Sequence, residues 1–260
     1  MSVTWVLLRG LSRDSRHWGG FPEILGSQFP GATVVALDLP GNGRLHRTVS
    51  PWSVEEMSEH CRVQLLHLGM RPPYYVLALS LGAMAAISWA TRRPDELAGC
   101  VLINTSLRHI NPFYRRLRAR NYATLARLAF HGFDTAACER TILALTSRRF
   151  ASSREVLDQW IAHARESPIS RANVLRQLVA AARFRAPRLK PLPPLLLLAS
   201  ARDALVDVRC SREIAARWRC DLAEHPDAGH DLPLDDGLWV AEQARRFVGR
   251  AGSFALPATA

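Results

Sequence analysis

Lysine is all but missing from this chain: of the 34 basic residues in its 260 positions, only Lys190 is a lysine. A GC-rich coding sequence accounts for arginine in place of lysine, but not for the net charge of +11. Paired cysteine motifs are also missing. Cys61, Cys100, Cys138, Cys210 and Cys220 are odd in number and widely spaced, with no C-x-x-C. That pattern argues against a disulfide framework and against a zinc site, and fits a reducing compartment. There is no long apolar run either. The longest, Tyr74 to Ala90, is interrupted by Ser80, Gly82 and Ser88 and is short for a membrane span. The start, "MSVTWVLLRG", lacks a basic segment and is broken by Arg9, so no signal peptide is expected. These absences predict a soluble, cytoplasmic protein. No internal repeat, low-complexity tract or cofactor motif is present, and neither cofactor nor metal is expected.

What is present alternates. "VTWVLL" (3–8), "ATVVALDLP" (32–40), "YYVLALS" (74–80) and "GCVLINT" (99–105) read as strands, with helical periodicity over 50–69 and 81–94. Ser53 and Glu56 form a capping-box pattern, Gly69 is a stop, and Pro94 closes the second helix. Alternation of this kind predicts an α/β fold, a mostly parallel sheet with helices on both faces. From about Asn111 to Pro187 only helical periodicity appears, consistent with four helices. The strand pattern resumes at 195–200 and 220–226, with helices at 211–218 and 238–250. The expected organisation is a core of 1–106 and 191–250, a helical insertion over 107–190 and a disordered tail at 251–260.

Ligands of open parallel sheets sit at the carboxyl ends of the strands. Ser80, in "ALSLG", follows one strand; Asp203 follows the strand at 195–200; His230, in "PDAGHD", follows the last. Hydroxyl, carboxylate and imidazole are the three groups that nucleophilic acyl transfer needs. Imidazole takes the serine proton and later returns it to the leaving group, while the carboxylate fixes the imidazole tautomer. Taken singly, each has a plainer reading: a serine in a buried turn, a loop carboxylate, a surface histidine. Asp207 lies near enough to compete with Asp203, and Asp227 and Asp231 are read as structural. The order and strand context favour the catalytic reading. "A-L-S-L-G" differs from G-x-S-x-G only in Ala78, a small residue that a strained elbow tolerates.

"LLRGLSRDSRHW", "DLPGNG", "LSLG" and "AGHDLPLDD", in that order, resemble the α/β-hydrolase superfamily over nearly the whole chain. The resemblance implies that 107–190 caps the active site and that the backbone N–H groups of Leu11 and Leu81 form the oxyanion hole. Serine at residue 80 argues against the dehalogenases and epoxide hydrolases of that superfamily, which use aspartate there. Family members usually carry His-Gly where this chain has Arg9-Gly10. Arg9 is read as a structural substitute, with a hold on a substrate carboxylate as the alternative.

Charge is lopsided along the chain. Residues 107–190 hold 17 basic and 5 acidic residues, a net +12, and the rest is close to neutral. Arg115, Arg116, Arg118, Arg120, Arg148, Arg149 and Arg154 are read as solvated helix-face residues, and together they would attract an acidic partner. "FYRRLRARNYATLARLAF" mixes basic and apolar residues through one expected helix, which would also suit a membrane surface. No nucleic-acid motif accompanies the charge. A short chain with a basic helical cap resembles the pimeloyl-[acyl-carrier protein] methyl ester esterases, which implies an ester substrate on an acidic carrier protein. The rival readings are a general small-ester or carbon–carbon bond hydrolase of the same fold, and a ligand-binding member without turnover.

Overall fold

Apolar runs without polar alternation become strands buried on both faces. The computed structural model describes residues 3–130 and 134–253. Its sheet has six strands, β1 (Thr4–Leu8), β2 (Thr33–Leu37), β3 (Tyr74–Leu79), β4 (Leu97–Ile103), β5 (Leu195–Ser200) and β6 (Asp221–His225). All neighbours pair in parallel, in the order β2-β1-β3-β4-β5-β6. Because side chains alternate across a strand, Val6, Leu8, Val76, Ala78, Cys100 and Leu102 enter one core. Trp5, Leu7, Leu77, Leu79, Val101 and Ile103 enter the other.

The first core is covered by α2 (Val54–His67), α3 (Leu81–Arg92) and α9 (Arg209–Trp218), the second by α1 (Phe21–Gln28) and α11 (Gly237–Ser253). α2 begins as its sequence predicts. Ser53 Oγ accepts from the Glu56 N–H at 3.3 Å and donates to Glu56 Oε1 at 2.7 Å, a cap worth about 1 kcal/mol. Gly69, at φ +70°, ends the turn beyond it. α1 and the four-residue α10 (Leu232–Asp235) had no legible period, being too short for one. α11 runs three residues past its expected end, to Ser253; the remainder of the 251–260 tail lies outside the described residues. Among the described residues, no helix is long and apolar enough to cross a membrane. All five cysteines are free.

Between β4 and β5 lie α4 (Phe113–Arg116), α5 (Tyr122–Phe130), α6 (Thr135–Thr146), α7 (Arg154–Glu166) and α8 (Arg171–Arg183). The stretch 113–130, expected as one helix, is broken. Leu117 is extended, and a 3₁₀ turn occupies Ala119–Asn121. The Arg118 N–H donates to the Leu205 carbonyl at 2.8 Å, and Asn121 Nδ2 donates to Ala204 O at 2.6 Å. Backbone groups committed to the loop after β5 cannot also continue a helical ladder.

Candidate active site

Strand order reverses direction between β1 and β3, and a crevice opens at such a switch point. Two segments meet there. Ser80 follows β3 directly, at φ 56° and ψ −113°, a conformation that costs a non-glycine residue about 1–3 kcal/mol and persists only where the surroundings enforce it. They do so here: the Ser80 N–H donates to Ile103 O at 2.9 Å, and the Thr105 hydroxyl donates to Ser80 O at 3.1 Å. The second segment is the loop after β1. A Cβ on Gly82 would stand 2.5 Å from the carbonyl oxygens of both Leu8 and Arg9, and one on Gly10 would stand 3.2 Å from Ser80 Cβ. Both glycines therefore permit the loop to lie against the elbow. Leu81 is the first residue of α3, so its N–H has no acceptor within the helix. The Leu11 N–H donates to no acceptor among the described residues.

His230 Nδ1 lies 2.7 Å from Asp203 Oδ2. Both residues are buried, at 7% and 3% exposure. The other Asp203 oxygen accepts from the N–H groups of Leu205 and Val206 at 2.7 and 2.9 Å, which fixes the carboxylate plane. Asp207 is occupied elsewhere: Arg209 makes a two-pronged contact with it and holds its carboxyl down at a pKa of about 2. The competition left open by the sequence is thus resolved in favour of Asp203 as the histidine's neighbour. Burial alone would lower the His230 pKa. The charge and hydrogen bond of Asp203, with Asp231 behind it, outweigh burial and raise it above the ordinary histidine value. Ser80 Oγ makes no hydrogen bond to His230 among the described residues.

The loop bearing His230 is pinned from three directions by residues that sequence reasoning missed or left open. Asn104, at φ 45°, donates from Nδ2 to His230 O at 2.8 Å and to Ser200 Oγ at 2.9 Å, and its Oδ1 accepts from the Ser200 N–H. Asp235 accepts from the Gly229 N–H at 2.7 Å and also from Ser147 and the backbone of Arg148. Arg9 makes a two-pronged ion pair with Asp231, with Nη1 3.0 Å from Oδ1, and its guanidinium stacks 4.8 Å over Trp18. Both terminal nitrogens of Arg9 are thus tied to the residue that follows His230.

A residue-family model described as the alpha/beta hydrolase family matches residues 5–243. The chain belongs to that family. The α/β-hydrolase fold and the hydrolase class expected from the sequence follow from this membership. Among curated proteins, a pimeloyl-[acyl-carrier protein] methyl ester esterase from Chromobacterium violaceum is 28% identical over 236 residues, 86% of each chain. The uncharacterized protein YbdG of Bacillus subtilis is 24% identical over 105 residues, 38% of this chain and 32% of that protein. Among solved structures, a thermophilic esterase from Thermogutta terrifontis superposes with a TM-score of 0.75 at 19% identity, covering 96% of this chain and 91% of that one.

In this hydrolase the segment between β4 and β5 grips the loops that follow β1 and β2. Gln177 of α8, fully buried, accepts from the Ser12 N–H at 3.0 Å and donates to Asn42 Oδ1 at 2.8 Å. Arg13, two residues after Leu11, pairs with Glu139 of α6 at 2.6 Å and stacks 4.4 Å over Trp160 of α7. Arg13 Nη1 also lies 2.9 Å from His17 Nε2, while His17 Nδ1 lies 3.0 Å from Asp14 Oδ1 and 3.2 Å from the Asp14 backbone N. Burial, together with the Arg13 charge, lowers the His17 pKa to about 4. The Gln177–Ser12, Gln177–Asn42 and Arg13–Glu139 pairs join residues more than a hundred positions apart and leave no local sequence signal.

The seven arginines read as solvated divide into two groups. Arg115 pairs with Glu213, Arg116 donates to the Ala181 carbonyl at 2.6 Å, and Arg118 lies 3.6 Å from Asp207. These three are partly buried and spend their charge inside the fold, a correction to the solvated reading. Arg120, Arg148, Arg149 and Arg154 are exposed. Among the described residues no three His, Cys, Asp or Glu side chains gather where they could hold a metal ion.

Proposed function

We propose that this hydrolase is a serine carboxylesterase with Ser80 as nucleophile, His230 as general base and acid, and Asp203 as the group that orients His230. The observation that carries the reading is the buried His230–Asp203 contact together with a strained serine at the strand switch point. Ser80 Oγ attacks the ester carbonyl carbon as its proton passes to His230 Nε2. The developing oxyanion accepts from the Leu11 and Leu81 N–H groups, usually the largest electrostatic contribution in such chemistry. Collapse expels the alcohol, which takes the proton from His230. Water, deprotonated by His230, then attacks the acyl-enzyme and releases the acid and free Ser80. Ser80→Ala should lower kcat by at least 10³-fold on a p-nitrophenyl ester with the fold retained by circular dichroism, and a phosphonate probe should label Ser80 alone. Undiminished turnover in that variant would sink the mechanism.

The substrate we favour is a methyl ester of an acyl chain on acyl carrier protein. Support comes from the relative in Chromobacterium violaceum and from the +12 carried by residues 107–190. Exposed Arg120, Arg148, Arg149 and Arg154 are the carrier contacts in this reading. A broad small-ester hydrolase is the second reading, favoured by the internal commitment of Arg115, Arg116 and Arg118. Comparing kcat/KM for methyl pimeloyl-acyl carrier protein with free dimethyl pimelate, at low and high salt, separates the two. A carrier preference that collapses with salt supports the first, and equal rates support the second.

A further inference from the structure

A cleft of about 440 Å³ opens where the segment leaving α8 meets residues 109–110 and the end of α9. It is lined by Arg185, Arg188, Arg217 and His109, with the half-buried Ile110 and Ala186 behind them. No carboxylate lines it. None of the three guanidinium groups has an ion pair or hydrogen bond among the described residues, whereas Arg209 and Arg212, earlier on α9, each grip an acid in two-pronged fashion. The backbone beneath is held firmly. Arg108 and Arg185 form a β-bridge, the Ala186 N–H donates to Arg108 O at 3.3 Å, and the neighbours Phe184 and Trp218 are buried. His109 is kept at φ 75°, an uncommon setting for a side-chain-bearing residue.

Three cations around one concavity raise one another's energy, and an anion entering it relieves all three. Guanidinium forks match phosphate oxygens in pairs, and the volume lies in the range of small-ligand sites. The geometry points to a second binding site, a cleft for phosphate groups formed by Arg185, Arg188, Arg217 and His109, sharing no residue with the Ser80 site. The same chemistry is offered by a soluble diphosphate and by the head groups of an anionic lipid surface. Lys190 and the outward-facing Leu189 and Leu192, at 82% and 81% exposure, follow on the same segment.

Calorimetry of the full chain with inorganic pyrophosphate, and co-sedimentation with phosphatidylglycerol against phosphatidylcholine vesicles, test the site. Each is run on the wild type, on Arg217→Gln and on Arg185→Gln/Arg188→Gln. Saturable sub-millimolar pyrophosphate binding, weakened at least tenfold in both variants with p-nitrophenyl ester turnover unchanged, is expected. Vesicle binding with that arginine dependence, lost in Leu189→Ser and without pyrophosphate affinity, assigns the site to a lipid head group. Binding of neither probe, or binding indifferent to the variants, overturns the inference.

Discussion

Replacing Arg9 with leucine should markedly destabilise this protein. Arg9 and Asp231 form an ion pair whose side chains are 3% and 2% exposed. Leucine keeps much of the volume over Trp18 but leaves the Asp231 carboxylate buried without its partner. Breaking a buried pair on one side costs about 3–5 kcal/mol. For a chain of this length the unfolding entropy is about 0.5 kcal/mol/K, so Tm should fall by roughly 6–10 °C. Arg9→Leu/Asp231→Leu removes both charges and should recover most of that loss, because the cost lies in the orphaned carboxylate rather than in the pair's net worth. Scanning calorimetry on the wild type, both single variants and the double variant gives the coupling directly. If Arg9→Leu instead melts within 1–2 °C of wild type while KM for an acidic ester rises, Arg9 holds substrate and the structural argument is wrong.

Three other perturbations probe the same loops. In the proposed mechanism neutral His230 is the base, and Asp203 raises its pKa, so the acid limb of kcat/KM should lie above the ordinary histidine value of about 6.5. Asp203→Asn should shift that limb down while lowering kcat by a factor on the order of 10⁴, and an unmoved limb would refute Asp203 as the source of the shift. Asn104→Ala removes the donor to His230 O and the acceptor for the Ser200 N–H. Steady-state kinetics should show kcat reduced at least tenfold with KM nearly unchanged, and a loss carried by KM alone would argue against positioning. His17 has its folded pKa lowered to about 4, below the unfolded value near 6.5. The unfolded chain therefore binds more protons in that window, and stability should fall by about 3 kcal/mol as pH drops through it. Urea titrations at several pH values read the slope, which should flatten in His17→Gln.

The chain alone determined what depends on near neighbours. Buried parallel strands announce themselves as unbroken apolar runs, so β1, β3, β4 and β5 were legible, and the Ser53–Glu56 cap was legible because its two partners are three residues apart. Parallel order then put Ser80, Asp203 and His230 at strand ends. Tertiary structure decided the rest. Asp203 rather than Asp207 meets His230 because Arg209 and Arg118 occupy the latter. The basic stretch 113–130 is not one helix because its backbone bonds to the loop after β5. Arg9–Asp231, Arg13–Glu139 and Gln177–Ser12 span 222, 126 and 165 positions. A contact between such distant residues has no period and no motif. It exists only once folding has brought two loops together, and the burial that folding creates is what makes leaving either partner unpaired costly.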